Sequence, residues 1–305
     1  MEYLKLTVSS KYNVSSDCCV IQLSSNENLP NFGPGSHISL ETPYGWRNYS
    51  VANLFIDAVW QLGVKAERKG RGGSAWIVDQ LELGATVNCQ PPKNSFPLID
   101  ADNYLLIAGG IGITAILPMA RHLDNLGKPY TLIYCARDAT ETAFCEEVNL
   151  LGGECIMHFD GGQDENLYDF WPIVETPDER LIYCCGPKNL MEDIEDMTGH
   201  WPEHQVKFED FKAVTILRND DKPFQVKLTN GDVFDVAENQ TILQVLRNNG
   251  LALRSSCESG TCGSCKTSYT SGEIDHRDLV LEDREKNKKI MICVSRAKGV
   301  LELDI

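Results

Sequence analysis

Four cysteines carry the sharpest chemical signal in this chain. Cys257, Cys262 and Cys265 stand in a C-x4-C-x2-C run, and Cys293 follows 28 positions after the last of them. That is the ligand spacing of a plant-type [2Fe–2S] cluster. Each iron takes two thiolates, so one short loop must deliver three of the four ligands by folding tightly around the cluster. Gly260 and Gly263 sit within the run and reach φ > 0 without a Cβ penalty. Ser255, Ser256, Ser259, Thr261 and Ser264 are small, which leaves backbone amides free to point at the sulfurs and tune the potential. A structural zinc site favours two paired half-sites, and no second half-site lies near Cys293. A one-electron carrier of this kind needs a source of electrons and a sink.

The N-terminal third offers a second chemistry. Trp46-Arg47-Asn48-Tyr49-Ser50 reads as one strand, with Arg47 and Tyr49 on one face and Asn48 and Ser50 on the other. A guanidinium beside a phenol pairs a bidentate phosphate clamp with a flat ring for stacking. Arg71-Gly72-Gly73-Ser74 follows, then Ala75–Leu81, which reads as a short helix. A Gly-Gly-Ser turn opening a helix presents unpaired N–H groups and the positive end of the helix dipole. A plain serine N-cap is the simpler alternative. Strand clamp and phosphate cradle together suggest a flavin mononucleotide or dinucleotide site.

The middle of the chain carries the third. Tyr104–Ala108 is wholly apolar, as in buried parallel strands. Gly109-Gly110-Ile111-Gly112-Ile113-Thr114 and a helical stretch from Ala115 to Leu126 come next. Strand, glycine turn and helix is the layout of a dinucleotide-phosphate site, here a variant of the G-x-G-x-x-G spacing. The strand Tyr130–Tyr134 runs into Arg137 and Asp138. Asp138 suits an adenosine ribose and hence NADH, whereas Arg137 suits the 2′-phosphate of NADPH. Leu181–Cys185 ends in Cys185-Gly186-Pro187, which places a thiol where it can touch a nicotinamide, unless it is simply packed. Gln205–Phe211 reads as one more strand, and its aromatic pair, taken alone, reads as core.

These residues need three kinds of support. Residues 1–98 hold short alternating runs at Lys5–Val8, Cys18–Leu23, His37–Glu41, Asn48–Val51, Val59–Lys65 and Thr86–Cys89. They predict a small antiparallel flavin-binding β-barrel. Residues 99–211 alternate strands and helices, predicting an α/β nucleotide-binding domain with a parallel sheet. A polar linker, 212–221, leads to 222–305, an α+β ferredoxin-like domain. There Asn230-Gly231 between apolar runs signals a hairpin, and Thr241–Asn248 an amphipathic helix. The net charge of −16 argues against nucleic acid and anionic membranes. From Lys222 onward twelve acidic and twelve basic residues cancel, so the excess belongs to the first two modules. No apolar run approaches the roughly 20 residues of a membrane helix. The other eight cysteines sit mostly in apolar contexts, as expected of reduced thiols in a cytoplasm.

With Arg47-x-Tyr49-Ser50, Gly109-Gly-Ile-Gly112-Ile-Thr114, Cys185-Gly-Pro187 and the terminal cysteine motif in this order, the chain resembles the phthalate dioxygenase reductase family. It is also similar to vanillate O-demethylase reductase subunits, and the resemblance spans essentially all 305 residues. It implies a β-grasp for the last domain. It implies FMN, which the residues alone do not separate from FAD, with contacts from Arg47, Tyr49, Ser50, Val64, Lys65, Gly72, Gly73 and Ser74. It further implies that Thr114 lies near the flavin, Cys185 near the nicotinamide, and Phe211 against the flavin ring. Ala66 departs from the family pattern, which implies a basic residue there. NADH delivers a hydride while the cluster accepts single electrons, so a flavin stands between them. Ser50 is expected to support flavin N5 by hydrogen bonding. The implied acceptor is the Rieske cluster of a separate oxygenase, docking on the neutral domain near Ser255, Ser256, Glu258 and Ser259. A redox sensor that binds partners without turnover is the alternative, although no effector module is visible; a zinc-stabilised nucleotide-binding module is a third reading.

Overall fold

In the computed structural model the described residues are 3–54, 59–209, 211, 218, 220–255, 260 and 263–305. The chain divides into two compact units, Met1–Phe211 and Lys212–Ile305.

The first unit opens with an antiparallel barrel. Its strands are β1 (Leu4–Ser15), β2 (Cys18–Ser24), β3 (Ser36–Thr42), β4 (Gly45–Ser50), β5 (Val59–Lys65), β6 (Thr86–Cys89) and β7 (Lys93–Asn94). They pair in the order β4-β3-β6-β1-β2-β5, with β7 on β3, and the two end strands β4 and β5 lie in contact. Period-2 alternation builds the core: Leu6 and Val8 turn inward while Lys5 and Thr7 face solvent. Trp60, Leu62, Ile38 and Leu40 meet them there. β1 runs past the expected Val8 to Ser15, because its far half pairs with β2 up to the tight turn at Ser16–Asp17. Helix α1 (Gly73–Asp79) starts two residues before the expected Ala75. Gly72 takes a left-handed φ of 87°, and its carbonyl accepts from the Trp76 amide, which closes the first turn.

The same unit continues into an α/β layer. Strands β8 (Tyr104–Gly109), β9 (Tyr130–Ala136), β10 (Glu154–Phe159), β11 (Leu181–Cys185) and β12 (Val206–Glu209) form a parallel sheet in the order β10-β9-β8-β11-β12. Helices α2 (Ile113–Leu126), α3 (Cys145–Asn149), α4 (Trp171–Val174) and α5 (Lys188–Met197) connect them. Every residue of β8 is buried, as its apolar run predicts. The chain leaves β8 toward β9 on one side and returns to β11 on the other. The crevice beyond the ends of β8 and β11 is therefore the switch point at which open α/β sheets bind ligands.

In the second unit β13 (Phe224–Leu228), β14 (Val233–Val236), β15 (Lys266–Asp275), β16 (Lys289–Met291) and β17 (Arg296–Leu303) order as β14-β13-β17-β15-β16. Only β13 and β17 are parallel. Helix α6 (Ile242–Asn248) buries Ile242, Leu243, Val245 and Leu246, and Thr241 with Gln244 closes a capping box at its start. A short helix α7 (Asp283–Lys286) precedes β16. Mixed sheet and grasping helix make the β-grasp expected of a ferredoxin module. No helix among the described residues is long and apolar enough to cross a membrane.

Candidate functional site

The flavin-type residues converge where β4, β5 and α1 meet. Arg47 lies across the helix start: a Cβ on Gly73 would stand 2.8 Å from its Cγ and 2.9 Å from its Nε. Its guanidinium donates to the carbonyls of Trp46 and Tyr44, each at 2.7 Å. The Tyr49 hydroxyl beside it is buried and has no hydrogen-bond partner. Burial pushes this phenol well above its ordinary pKa, and the positive charges of Arg47 and Arg71 oppose the rise. The Ser50 hydroxyl, one residue on, is likewise buried and unpartnered. Asn48 is committed across the sheet, accepting from Ser39 Oγ at 2.6 Å. The simpler reading of Ser74 as an N-cap does not hold. Gly72 is the capping residue, and Ser74 Oγ instead accepts from the Glu67 amide at 2.9 Å. Val64 is packed in the barrel core, which leaves its backbone, on the end strand β5, for any cofactor contact; Lys65 is exposed.

The nucleotide-type residues adjoin them. Gly63 of β5 is pressed by Thr114, whose Cγ2 would stand 2.7 Å from an added Cβ. Thr114 Oγ1 donates to the Ile111 carbonyl, which tightens the turn into α2. On the other side of the turn, a Cβ on Gly112 would fall 2.1 Å from the Cys185 carbonyl oxygen, and one on Gly109 2.6 Å from Pro187 Cδ. Glycine is required at Gly112 because two backbones abut there, and at Gly109 because the Pro187 ring and the Leu190 side chain close over it. Cys185 is fully buried at the end of β11, and Gly186 follows against Gly109. Gly110 takes φ 52° with open space beside it. Asp138 caps the turn after β9: its Oδ1 accepts from the amide and hydroxyl of Thr140, which hold its pKa below the usual carboxylate range. Its second oxygen remains for a further donor. Phe211 is exposed.

One member of this group escaped the sequence reading. Glu209 ends β12 and pairs in register with Cys185. Its Oε2 is buried without a partner, and desolvation raises its pKa to about 8. The available signal was its i, i+2 relation to Phe211 within the expected strand Gln205–Phe211, although the strand as formed ends at Glu209.

In the second unit Cys265 and Cys293 are both buried. Cys257 and Cys262 lie outside the described residues, as do Ser256, Glu258 and Ser259. The glycines of the loop are described, and both take left-handed backbones, φ 79° at Gly260 and 75° at Gly263. A Cβ on Gly260 would stand 2.8 Å from Val294 Cγ2, so Gly260 packs against the residue beside Cys293. Arg247 Nη2 fixes the loop entrance, donating to the Leu253 carbonyl and to Ser255 Oγ.

Known proteins match this arrangement. The sequence model of the 2Fe-2S iron-sulfur cluster binding domain matches residues 227–298, a span that contains all four cysteines. Phthalate dioxygenase reductase of Burkholderia cepacia is 41% identical over 314 residues, which cover 99% of this chain and 98% of that protein. The chain belongs to the phthalate dioxygenase reductase family. Vanillate O-demethylase oxidoreductase of a Pseudomonas species is 35% identical over 289 residues, 91% of each chain. A solved phthalate dioxygenase reductase superposes on the reductase described here with a TM-score of 0.84 at 40% identity, covering 99% of this chain and 98% of that one. That protein is a modular structure for electron transfer from pyridine nucleotides to [2Fe-2S].

The residues of this reductase fit a flavin and a cluster. Buried polar atoms in folded proteins are almost always hydrogen-bonded. Here the orphans Tyr49 OH and Ser50 Oγ fall where the motif places a flavin, and Glu209 Oε2 lies in register with Cys185. Buried thiols beside a left-handed glycine loop are the donor set that iron–sulfur chemistry asks for.

Glu209 has a testable pH signature. An unfolded glutamate loses its proton near pH 4.3, whereas this one keeps it to about 8. Between those values the folded state binds more protons, so stability falls as pH rises, by up to about 1.4 kcal/mol per pH unit. Melting the protein and its Glu209→Gln variant from pH 5 to 9 should show the variant gaining on the parent up to about pH 8. Parallel curves would mean that the carboxyl is not held neutral.

Proposed function

We propose that the chain is the reductase component of a two-component Rieske oxygenase or demethylase, drawing electrons from NADH and delivering them singly to the separate oxygenase. The observation that carries this reading is the continuity of the site in the first unit. Gly63 of the barrel touches Thr114 of the nucleotide turn, whose Gly112 touches Cys185, all on the chain that carries the cluster cysteines. Bound FMN supplies the conversion of a two-electron hydride donor into one-electron steps that a [2Fe–2S] cluster accepts.

The chain's own groups do the positioning. Ser50 Oγ, buried and unsatisfied, would hydrogen-bond a bound flavin at N5, and Tyr49 would set its phenol against it. Arg47 and Arg71 supply positive charge for the phosphate. Gly72 and Gly73 open α1 toward it, and Lys65 adds a third cation at the rim. The crevice beyond the ends of β8 and β11, whose floor is Gly109–Gly112 packed on Cys185-Gly186-Pro187, would hold the nicotinamide half, with Phe211 at the flavin ring. Glu209 keeps a proton at its buried carboxyl next to Cys185. Asp138 reserves one oxygen for the adenosine ribose, which favours NADH; Arg137 is the group that NADPH would use. Ser255, expected beside the docking face for the oxygenase, is instead 1% exposed and pinned by Arg247, so it holds the entrance of the cluster loop from behind rather than offering itself to a partner. Buried thiols in apolar surroundings, such as Cys19, Cys89 and Cys184, suit reduced cysteines in a cytoplasm.

Colour tests this reading at once. The purified protein should carry flavin and iron–sulfur bands that bleach anaerobically with NADH, and acid should release FMN rather than FAD. Rates with NADH and NADPH then decide the nicotinamide. A folded but colourless, iron-free protein would sink the proposal.

A further inference from the structure

Phe144 is the one non-glycine among the described residues with a left-handed backbone, at φ 66°. A bulky side chain avoids that conformation unless its surroundings impose it. Its ring is buried, and its Cε2 would stand 2.9 Å from a Cβ on Gly63 of β5. Thr114 and Ile111 of the nucleotide turn press on the same glycine, at 2.7 and 3.1 Å. The loop that carries Phe144 is also tied to that turn from behind. The hydroxyl of Tyr134, fully buried at the end of β9, lies 3.0 Å from the Gly110 carbonyl and 3.0 Å from the Ala143 carbonyl. A phenol has one proton to donate, so the two carbonyls share it.

We infer that Tyr134 and Phe144 form a staple that seats the turn Gly109–Thr114 against β5 and thereby sets how closely the nicotinamide approaches the flavin. They are positioning residues: neither touches the reacting atoms, and each acts through the turn. The strained backbone of Phe144 is what aims its ring into the seam between barrel and sheet. This inference rests on the proposed NADH-to-flavin reaction. If that reading holds, loosening the staple slows hydride transfer and leaves the electron carriers intact.

The test is anaerobic stopped-flow reduction by saturating NADH of the protein and of its Tyr134→Phe and Phe144→Ala variants, with dithionite reduction as reference. Misplacement on the order of 1 Å costs up to about a hundredfold in rate, so the limiting rate should fall about tenfold in Phe144→Ala, with a smaller fall in Tyr134→Phe. The NADH concentration giving half the limiting rate should move less, and flavin content and dithionite bleaching should stay unchanged. Phe144→Met, which keeps a long apolar side chain in the seam, should recover much of the rate. Tyr134→Phe preserves the packed ring and serves if Phe144→Ala fails to fold. Limiting rates equal to the parent's in variants that melt earlier would overturn the staple and leave only a packing role. A parent protein that NADH does not bleach would overturn the functional reading and the staple together.

Discussion

Cys293→Ser is expected to abolish reduction of one-electron protein acceptors while NADH still bleaches the flavin. Cys293 is 2% exposed and lies between Ile292 and Val294 in the core of the second unit. Serine matches it in shape, so the sheet should hold, but its hydroxyl does not replace a thiolate as the fourth ligand of the cluster. Every residue assigned to flavin and nicotinamide lies in Met1–Phe211, a compact unit with its own core. Its reaction with NADH should therefore survive loss of the cluster. The measurement is paired: anaerobic bleaching of the flavin band by NADH, and steady-state reduction of cytochrome c. Loss of both activities would argue against the order of carriers, and survival of both would remove Cys293 from the ligand set.

A methyl group added at Gly112 should be nearly as damaging to the other half of the reaction. The Cβ of Gly112→Ala would stand 2.1 Å from the Cys185 carbonyl oxygen, 2.5 Å from its carbon and 2.8 Å from the Gly186 nitrogen. All three are backbone atoms, so no flexible side chain can swing away. The turn after β8 and the end of β11 must part, and together they form the floor of the proposed nicotinamide crevice. A separation on the order of 1 Å lowers a rate that depends on near-attack geometry by about a hundredfold. Reduction of the flavin by NADH should fall by that order, with dithionite reduction unaffected. Gly127→Ala, at the far end of α2, is the internal control: its φ of 64° carries some strain, but nothing lies within 4 Å of its added methyl. A rate unchanged in Gly112→Ala would show that the crevice is not where the nucleotide binds.

The two substitutions also mark a difference in what could be read from the chain. Cys293 was legible because a cluster imposes its ligand count and loop spacing on the covalent order of residues. The same holds for the Asn230-Gly231 turn, where Gly231 takes φ 92° as the hairpin requires, and for the capping box at Thr241 and Gln244. Each is a local device whose partners lie a few residues apart. The antiparallel barrel and the buried parallel strand β8 followed from periodicity, which is also local.

The tertiary structure decided whatever depends on strands far apart in sequence coming side by side. Ser74 had the local look of a cap, yet its hydroxyl answers the Glu67 amide. Glu209 reads as an ordinary strand carboxylate until β12 pairs with β11 and desolvates it beside Cys185. Gly112 faces Cys185, and Phe144 faces Gly63, across separations that no spacing rule spans. The sequence by itself therefore determined which chemistries the chain carries and in what order, because ligand spacing, caps and turns are short-range. Only the fold determined which groups are left buried and unsatisfied, because burial of a carboxyl or a hydroxyl belongs to the packed neighbourhood and not to the residue.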